Sequence, residues 1–277
     1  MKESLRKTVH SILLTATGLV VFLINITFRQ IIPQPLFRVL QLTIIVVLAL
    51  ALLKLRGKGR DRIRDILFSF LAASVSLTVV SFFSVESLGI SVDSPRGIAF
   101  AKLFDSAVIV SVLIVFLKAA KFNLGSIYIS RGKLITGLII GLVTFAAMAL
   151  LVIAGPGNEN SAEVISSYLP WILIFIFSNA FMEELLFRGI FLKRMNALIG
   201  APAAILVTSL VFALTHMQVS YQSPSEIAGF VAVVFFLALI WAAAMHKTDS
   251  IIASTLFHAG ADLVIIIDVY YSMGAIS

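Results

Sequence analysis

The chain has 277 residues, of which 60% are hydrophobic and 13% charged, with a net charge of +7 and no cysteine. Its mean hydropathy is +1.07, which excludes a water-soluble domain and predicts an all-α, polytopic transmembrane helix bundle of about eight or nine spans. The lack of cysteine excludes thiol catalysis, disulfides, thiolate-bound zinc and a prenylated tail of its own. The surplus Lys and Arg residues sit in short loops between apolar runs, where topology explains them, so no nucleic-acid partner is expected.

The first apolar run, Ser11–Phe28, follows a basic start and lacks a small-residue cleavage site, so it reads as a retained first helix. Further runs of spanning length follow at Leu36–Leu53, Ile66–Val85, Ile98–Leu117 and Leu134–Ala154. The carboxyl-terminal set comprises Ile165–Leu192, Ala203–Met217, Ile227–Met245 and Ile251–Tyr270. Basic residues gather at the amino terminus, at Lys54–Arg64, at Lys118–Lys133 and at Lys193 and Arg194. Acidic residues mark the alternate loops at Glu86, Asp93, Glu159, Glu163 and Glu226, with Arg29, Arg38 and Arg96 as exceptions. The alternation predicts an integral membrane protein with an inside amino terminus.

Asn25, Gln41 and the pair Lys102 and Asp105 are the conspicuous polar residues of the first spans, and a structural role is expected for them. Gly137 and Gly141 place two small residues on one helix face, a spacing that admits a close neighbour. The chain is read as one membrane domain in two parts. Residues 1–164 supply amino-terminal helices with no assignable role, and residues 165–277 carry the chemistry.

Glu183, Glu184 and Arg188 lie within Trp171–Leu192. Three charges at mid-bilayer cost roughly 8–10 kcal/mol, and each Leu or Ile returns only about 0.3–0.6 kcal/mol, so these groups need partners. On a helix Glu184 and Arg188 are i,i+4 and pair, while Glu183 is turned about 100° away and left free. A carboxylate left free in a water-poor site is a poised general base or acid. The alternative is one salt-bridged cluster that only fixes helix packing. Phe212 and His216 follow on the next span, and His258 and Asp262 share a face of the last. Counted from the basic end, Glu183, His216 and His258 are about 16, 20 and 11 Å along their helices, a common depth in a core of roughly 30 Å.

Glu-Glu-x-x-x-Arg, Phe-x-x-x-His and His-x-x-x-Asp, in this order on successive helices, resemble the CPBP (CAAX protease and bacteriocin-processing, or Abi) family of intramembrane proteases, relatives of the type II CAAX prenyl endopeptidases. The resemblance covers about Ile165–Ile267. It implies an endopeptidase that hydrolyses a peptide bond of a membrane-associated protein or peptide within the lipid bilayer. By motif position Glu183 and His216 would activate water, and His258 and Asp262 would stabilise the oxyanion. Glu184, Arg188 and Phe212 would be structural or substrate-orienting. Asp262 stands where the prenyl endopeptidases have Asn, and an ionised Asp would repel an oxyanion unless it is protonated, faces His258 or binds a metal. A zinc ion held by His216, His258 and Glu183 is the possible cofactor. Two other functions fit the same residues: a proton-coupled transporter using them as a relay, and a non-catalytic immunity protein that binds a membrane partner.

Overall fold

The computed structural model describes residues 2–55, 61–83, 85–155, 160–217 and 223–273. Arg56, Lys58, Arg60 and Glu159 lie outside the described residues, as does the side chain of Glu86. Among the described residues the secondary structure is entirely helical. In chain order the α-helices are α1 (Lys2–Asn25), α2 (Gln34–Lys54), α3 (Asp61–Ser81), α4 (Pro95–Ala119), α5 (Leu134–Ala154), α6 (Ser161–Glu184), α7 (Leu192–Ile199), α8 (Ala201–Thr215), α9 (Pro224–Thr248) and α10 (Ile252–Ser272). A π-helical turn, Leu185–Gly189, continues α6.

Eight of these segments are long and apolar enough to cross a membrane, and the chain is an integral membrane protein. The segment that makes the difference from nine is α8, which has only 15 residues. At 1.5 Å per residue it reaches about 22 Å, short of a hydrocarbon core of roughly 30 Å. Gly200, with φ of 89°, separates it from the short amphipathic α7. A positive φ at that junction suits glycine, which has no Cβ to clash.

The loops alternate between two ends of the bundle. At one end Lys133 N donates to Thr248 O at 2.7 Å, Ile251 N to Tyr128 O at 3.0 Å, and Arg62 Nη1 to Ala197 O at 2.8 Å. Lys193 Nζ joins the same end by pairing with Asp249 at 2.6 Å. At the other end Thr27 Oγ1 donates to Thr215 O at 3.0 Å, and Tyr270 OH to Pro95 O at 2.9 Å. The basic loops therefore lie together. Two of the three arginines that break the charge alternation are held by contacts within the bundle. Arg38 donates to Ser81 O at 2.7 Å and lies over the ring of Phe82, while Arg96 faces the rings of Phe100 and Trp171.

Polar residues of the first spans are absorbed by packing. Gln41 Nε2 donates to Asn25 Oδ1 at 3.0 Å, and Ser81 Oγ donates to Gln41 Oε1 at 3.2 Å, so a buried amide network ties α1, α2 and α3. Lys102 lies 5.7 Å from the ring centroid of Phe175 on α6. Because Asn25 meets the eighth residue of α2, α1 ends about 10 Å below the start of α2, measured along that helix at 1.5 Å per residue.

Two apolar clusters form the core. One joins α1, α3, α4, α7, α8 and α9 around Phe22, Phe70, Phe191 and Phe212. The other joins α5, α6 and α10 around Ile172, Ile176, Ala259 and Tyr270. Gly137 and Gly141 face α10, where a Cβ on Gly141 would meet Leu256 Cδ1 at 2.6 Å and Leu256 Cβ at 2.7 Å. Gly260 answers from α10 with its missing Cβ 3.0 Å from the Phe145 backbone. This backbone approach fixes α10, and with it His258 and Asp262. Gly141→Val is expected to lose about 1–3 kcal/mol through overpacking. Its unfolding midpoint in detergent should fall, while Ile135→Val on the exposed face of α5 leaves the midpoint unchanged.

Candidate active site

The site occupies the seam between the two clusters. α6 contributes Asn179, Glu183 and Glu184, the π-turn Arg188, α8 Phe212 with His216 capping its carboxyl end, α9 Trp241, and α10 His258 and Asp262. The π-turn marks a departure from the uninterrupted helix expected through Leu192. Ile190 N bonds Leu185 O at 3.1 Å, five residues back, and the widened turn frees the chain to bend towards α7.

Glu184 and Arg188 are fully buried and bonded, Nη1 to Oε1 at 2.5 Å. The same oxygen accepts from His258 Nδ1 at 2.9 Å. The guanidinium lies 4.4 Å from the ring centroid of Phe212 and 5.3 Å from that of Trp241. An arginine with few hydrogen-bond acceptors is thus held by one carboxylate and two aromatic faces. Trp241 also stacks on the His258 imidazole, with centroids 4.0 Å apart and planes 9° from parallel.

Glu183 lies outside that pair, with Oε2 3.6 Å from His258 Nε2 and 4.0 Å from His216 Nε2. The second nitrogen of each ring is committed elsewhere. His216 Nδ1 contacts the Phe212 carbonyl at 2.8 Å and His258 Nδ1 contacts Glu184. Both partners are acceptors, so each Nδ1 carries the proton and each Nε2 is turned to the Glu183 side of the site. Glu183 and His216 retain 16% and 23% side-chain exposure, against 0% for Glu184 and Arg188. The face that opens from the site is the one bearing Glu183.

Asp262 points at His258, with Oδ1 3.5 Å from Nε2, and its other oxygen accepts from Asn179 Nδ2 at 2.8 Å. Of the seven residues singled out from sequence, all seven therefore lie in one contiguous set. Asn179 and Trp241 were not anticipated. Asn179 carried a signal, a lone amide one turn before Glu183 in an apolar run. Trp241 carried none, since an aromatic residue in an apolar span reads as core.

Among the described residues no three His, Asp or Glu side chains form a set that holds a metal ion. Two ligands of one tetrahedral zinc lie about 3.4 Å apart, given bonds of about 2.1 Å. The Glu183–His216 separation of 4.0 Å exceeds this. A water molecule with hydrogen bonds of about 2.8 Å bridges groups roughly 3.6–4.6 Å apart. As arranged, the residues fit a shared water and do not fit zinc.

Fold and site together define an integral membrane protein with a buried acid and imidazole cluster. Residues 165–264, about a third of the chain, match the family model described as type II CAAX prenyl endopeptidase Rce1-like. The resemblance expected from the three motifs holds over that segment, which is similar to the type II CAAX prenyl endopeptidases. No curated protein and no solved structure matches the chain.

Removing one member of the buried pair leaves the other charge uncompensated, so Arg188→Met is expected to cost about 3–5 kcal/mol. Adding Glu184→Gln, which keeps an acceptor for His258 Nδ1, should recover more than half of that loss. Thermal unfolding of the single and double variants in detergent measures both.

Proposed function

We propose that the protein is an intramembrane endopeptidase that hydrolyses a peptide bond of a membrane-associated protein or peptide. The observation that carries this reading is Glu183, a partly exposed carboxylate outside the Glu184–Arg188 pair and flanked by Nε2 of both His216 and His258.

In the proposed reaction Glu183 takes a proton from water, and the lone pair on His216 Nε2 accepts that water's second hydrogen bond and orients its attack. A carbonyl carbon of the substrate becomes tetrahedral as the new C–O bond forms. His258 has acceptors at both nitrogens, Glu184 at Nδ1 and Asp262 at Nε2, a setting that suits the doubly protonated ring. Its Nε2–H is then the donor available to the developing oxyanion. Asp262 acts through His258 and not on the oxyanion itself, which accommodates Asp where the prenyl endopeptidases have Asn. Glu183 returns its proton to the departing amine as the C–N bond breaks. Asn179 is a positioning residue that holds Asp262.

Residues 1–164 serve in this reading as a scaffold. Phe22 of α1 stacks on Phe187 beside the buried arginine at 4.5 Å, and α4 packs along α6. The shared basic end supports a cytoplasmic placement of the amino terminus, and the resemblance to CPBP proteins suggests a bacterial cytoplasmic membrane.

Glu183→Gln keeps the shape and removes the base, so cleavage of a membrane peptide by the purified protein should fall by about 10²–10⁴-fold with folding unchanged. Retained turnover in that variant would overturn the mechanism. Because the residues fit water and not zinc, cleavage is expected to survive a metal chelator with less than a twofold loss. Chelator inactivation reversed by added zinc would show a site that closes around metal.

A further inference from the structure

The basic end of the bundle holds a cavity that the proposed chemistry does not use. It has a volume of about 210 Å³ and lies between α3, α7 and the segment after α4, lined by Arg62, Asp65, Ser126, Lys193 and Arg194. Arg194 is nine-tenths buried, and its Nε has no hydrogen-bond partner. Its Nη1 donates to Ile190 O at 2.9 Å, while Nη2 is 3.4 Å from Ser126 Oγ, a weak contact for a guanidinium. Arg62 commits one nitrogen to Ala197 O at 2.8 Å. Lys193 uses two of its three donors, on Gly125 O and Asp249, both at 2.6 Å. Three cations therefore face the acids Asp65 and Asp249, and donors remain unused. A buried cation short of acceptors costs free energy that a bound anion recovers.

A second, larger hollow of about 710 Å³ adjoins the first and shares Asp65 and Phe122 with it. It runs between α2, α3 and α4 and is lined by Leu53, Phe68, Leu71, Val115 and Phe116, with Arg64 also in its wall. Leu53 and Val115 are 60% and 64% exposed, so the groove opens sideways onto the acyl region of the bilayer. An anion-seeking cavity continuous with a lipid-facing apolar groove has the shape of one amphiphile: a phosphate head with a chain attached.

We propose that this end of the bundle binds an anionic phospholipid, with its phosphate at Arg62, Lys193 and Arg194 and one acyl chain in the groove between α2, α3 and α4. Asp65, at the junction, is offset by Arg194 and Arg64, both within its electrostatic reach. The ligand bridges α3, α7 and the segment after α4, and so braces the chain that leaves the π-turn of Arg188.

The test uses the full-length protein in a neutral detergent, titrated with phosphatidylglycerol, phosphatidylcholine or inorganic phosphate and read by native mass spectrometry. Phosphatidylglycerol should bind more tightly than phosphatidylcholine. Its affinity should fall roughly 25-fold in Arg62→Gln/Lys193→Gln, taking about fivefold per basic group. Arg6→Gln/Arg131→Gln, an equal change of net charge elsewhere, should lose less than twofold. Ala119→Trp, which fills the groove, should weaken the lipid and leave inorganic phosphate unaffected. Equal losses in the two charge variants, or undiminished lipid binding in Arg62→Gln/Lys193→Gln with an unchanged circular dichroism spectrum, would overturn the proposal. Inorganic phosphate binding as tightly as the lipid would overturn the lipid assignment and leave a site for free phosphate.

Discussion

The burial of Glu184 with Arg188 is the interaction on which the rest of the site depends. Neither group has any exposure, and both lie in a segment with almost no other polarity. A lone charge in such a place costs several kcal/mol, so each is tolerable only because the other is there. Their pairing has two further consequences. It orients the His258 ring by accepting from Nδ1, and it balances the charge of Arg188 so that Glu183, its neighbour on the helix, is left over. An adjacent pair of glutamates thus divides into one structural and one available carboxylate, with the roles set by which helix face each residue occupies.

The surrounding fold can be understood as what brings three helix faces to that pair. The glycines of α5 and α10 let two backbones approach until larger side chains would collide, and α10 presents His258 and Asp262 from that close contact. α8 stops after 15 residues, so His216 arrives at a helix end, where its Nδ1 can turn back onto the Phe212 carbonyl. Phe212 and Trp241 fill the space between arginine and imidazoles, and Phe187 backs Phe212 edge-on. Aromatic faces supply electrostatic support to the cation without the mobility of extra water.

Much of this was legible in the sequence, for definable reasons. Charged residues in an apolar run are costly enough to demand partners, and helical spacing says which of them face each other. That identified the Glu184–Arg188 pair and left Glu183 apart. Counting along helices from the basic loops put His216 and His258 at matching depths. Other features were not legible. The π-turn at Leu185–Gly189 obeys no composition rule, whereas the brevity of α8 could have been read from the apolar run Ala203–Met217, which is itself short of a full span. Asn179 could have been noticed as an amide in a costly position, but its partner Asp262 lies on another helix. Trp241 stacks on His258 through tertiary contact alone. Arg38 looked like a violation of loop charge, and only the packed α3 shows its carbonyl acceptor.

The arrangement around Glu183 is the point most open to direct measurement. A cryo-electron microscopy structure at a resolution that locates ordered water should contain one water within hydrogen-bond distance of the Glu183 carboxylate and of Nε2 of His216. His258 Nε2 should stand on the opposite side of that carboxylate. Imidazoles turned to the acyl chains, or Glu183 bonded to Arg188 in place of Glu184, would contradict the division of labour between the two glutamates.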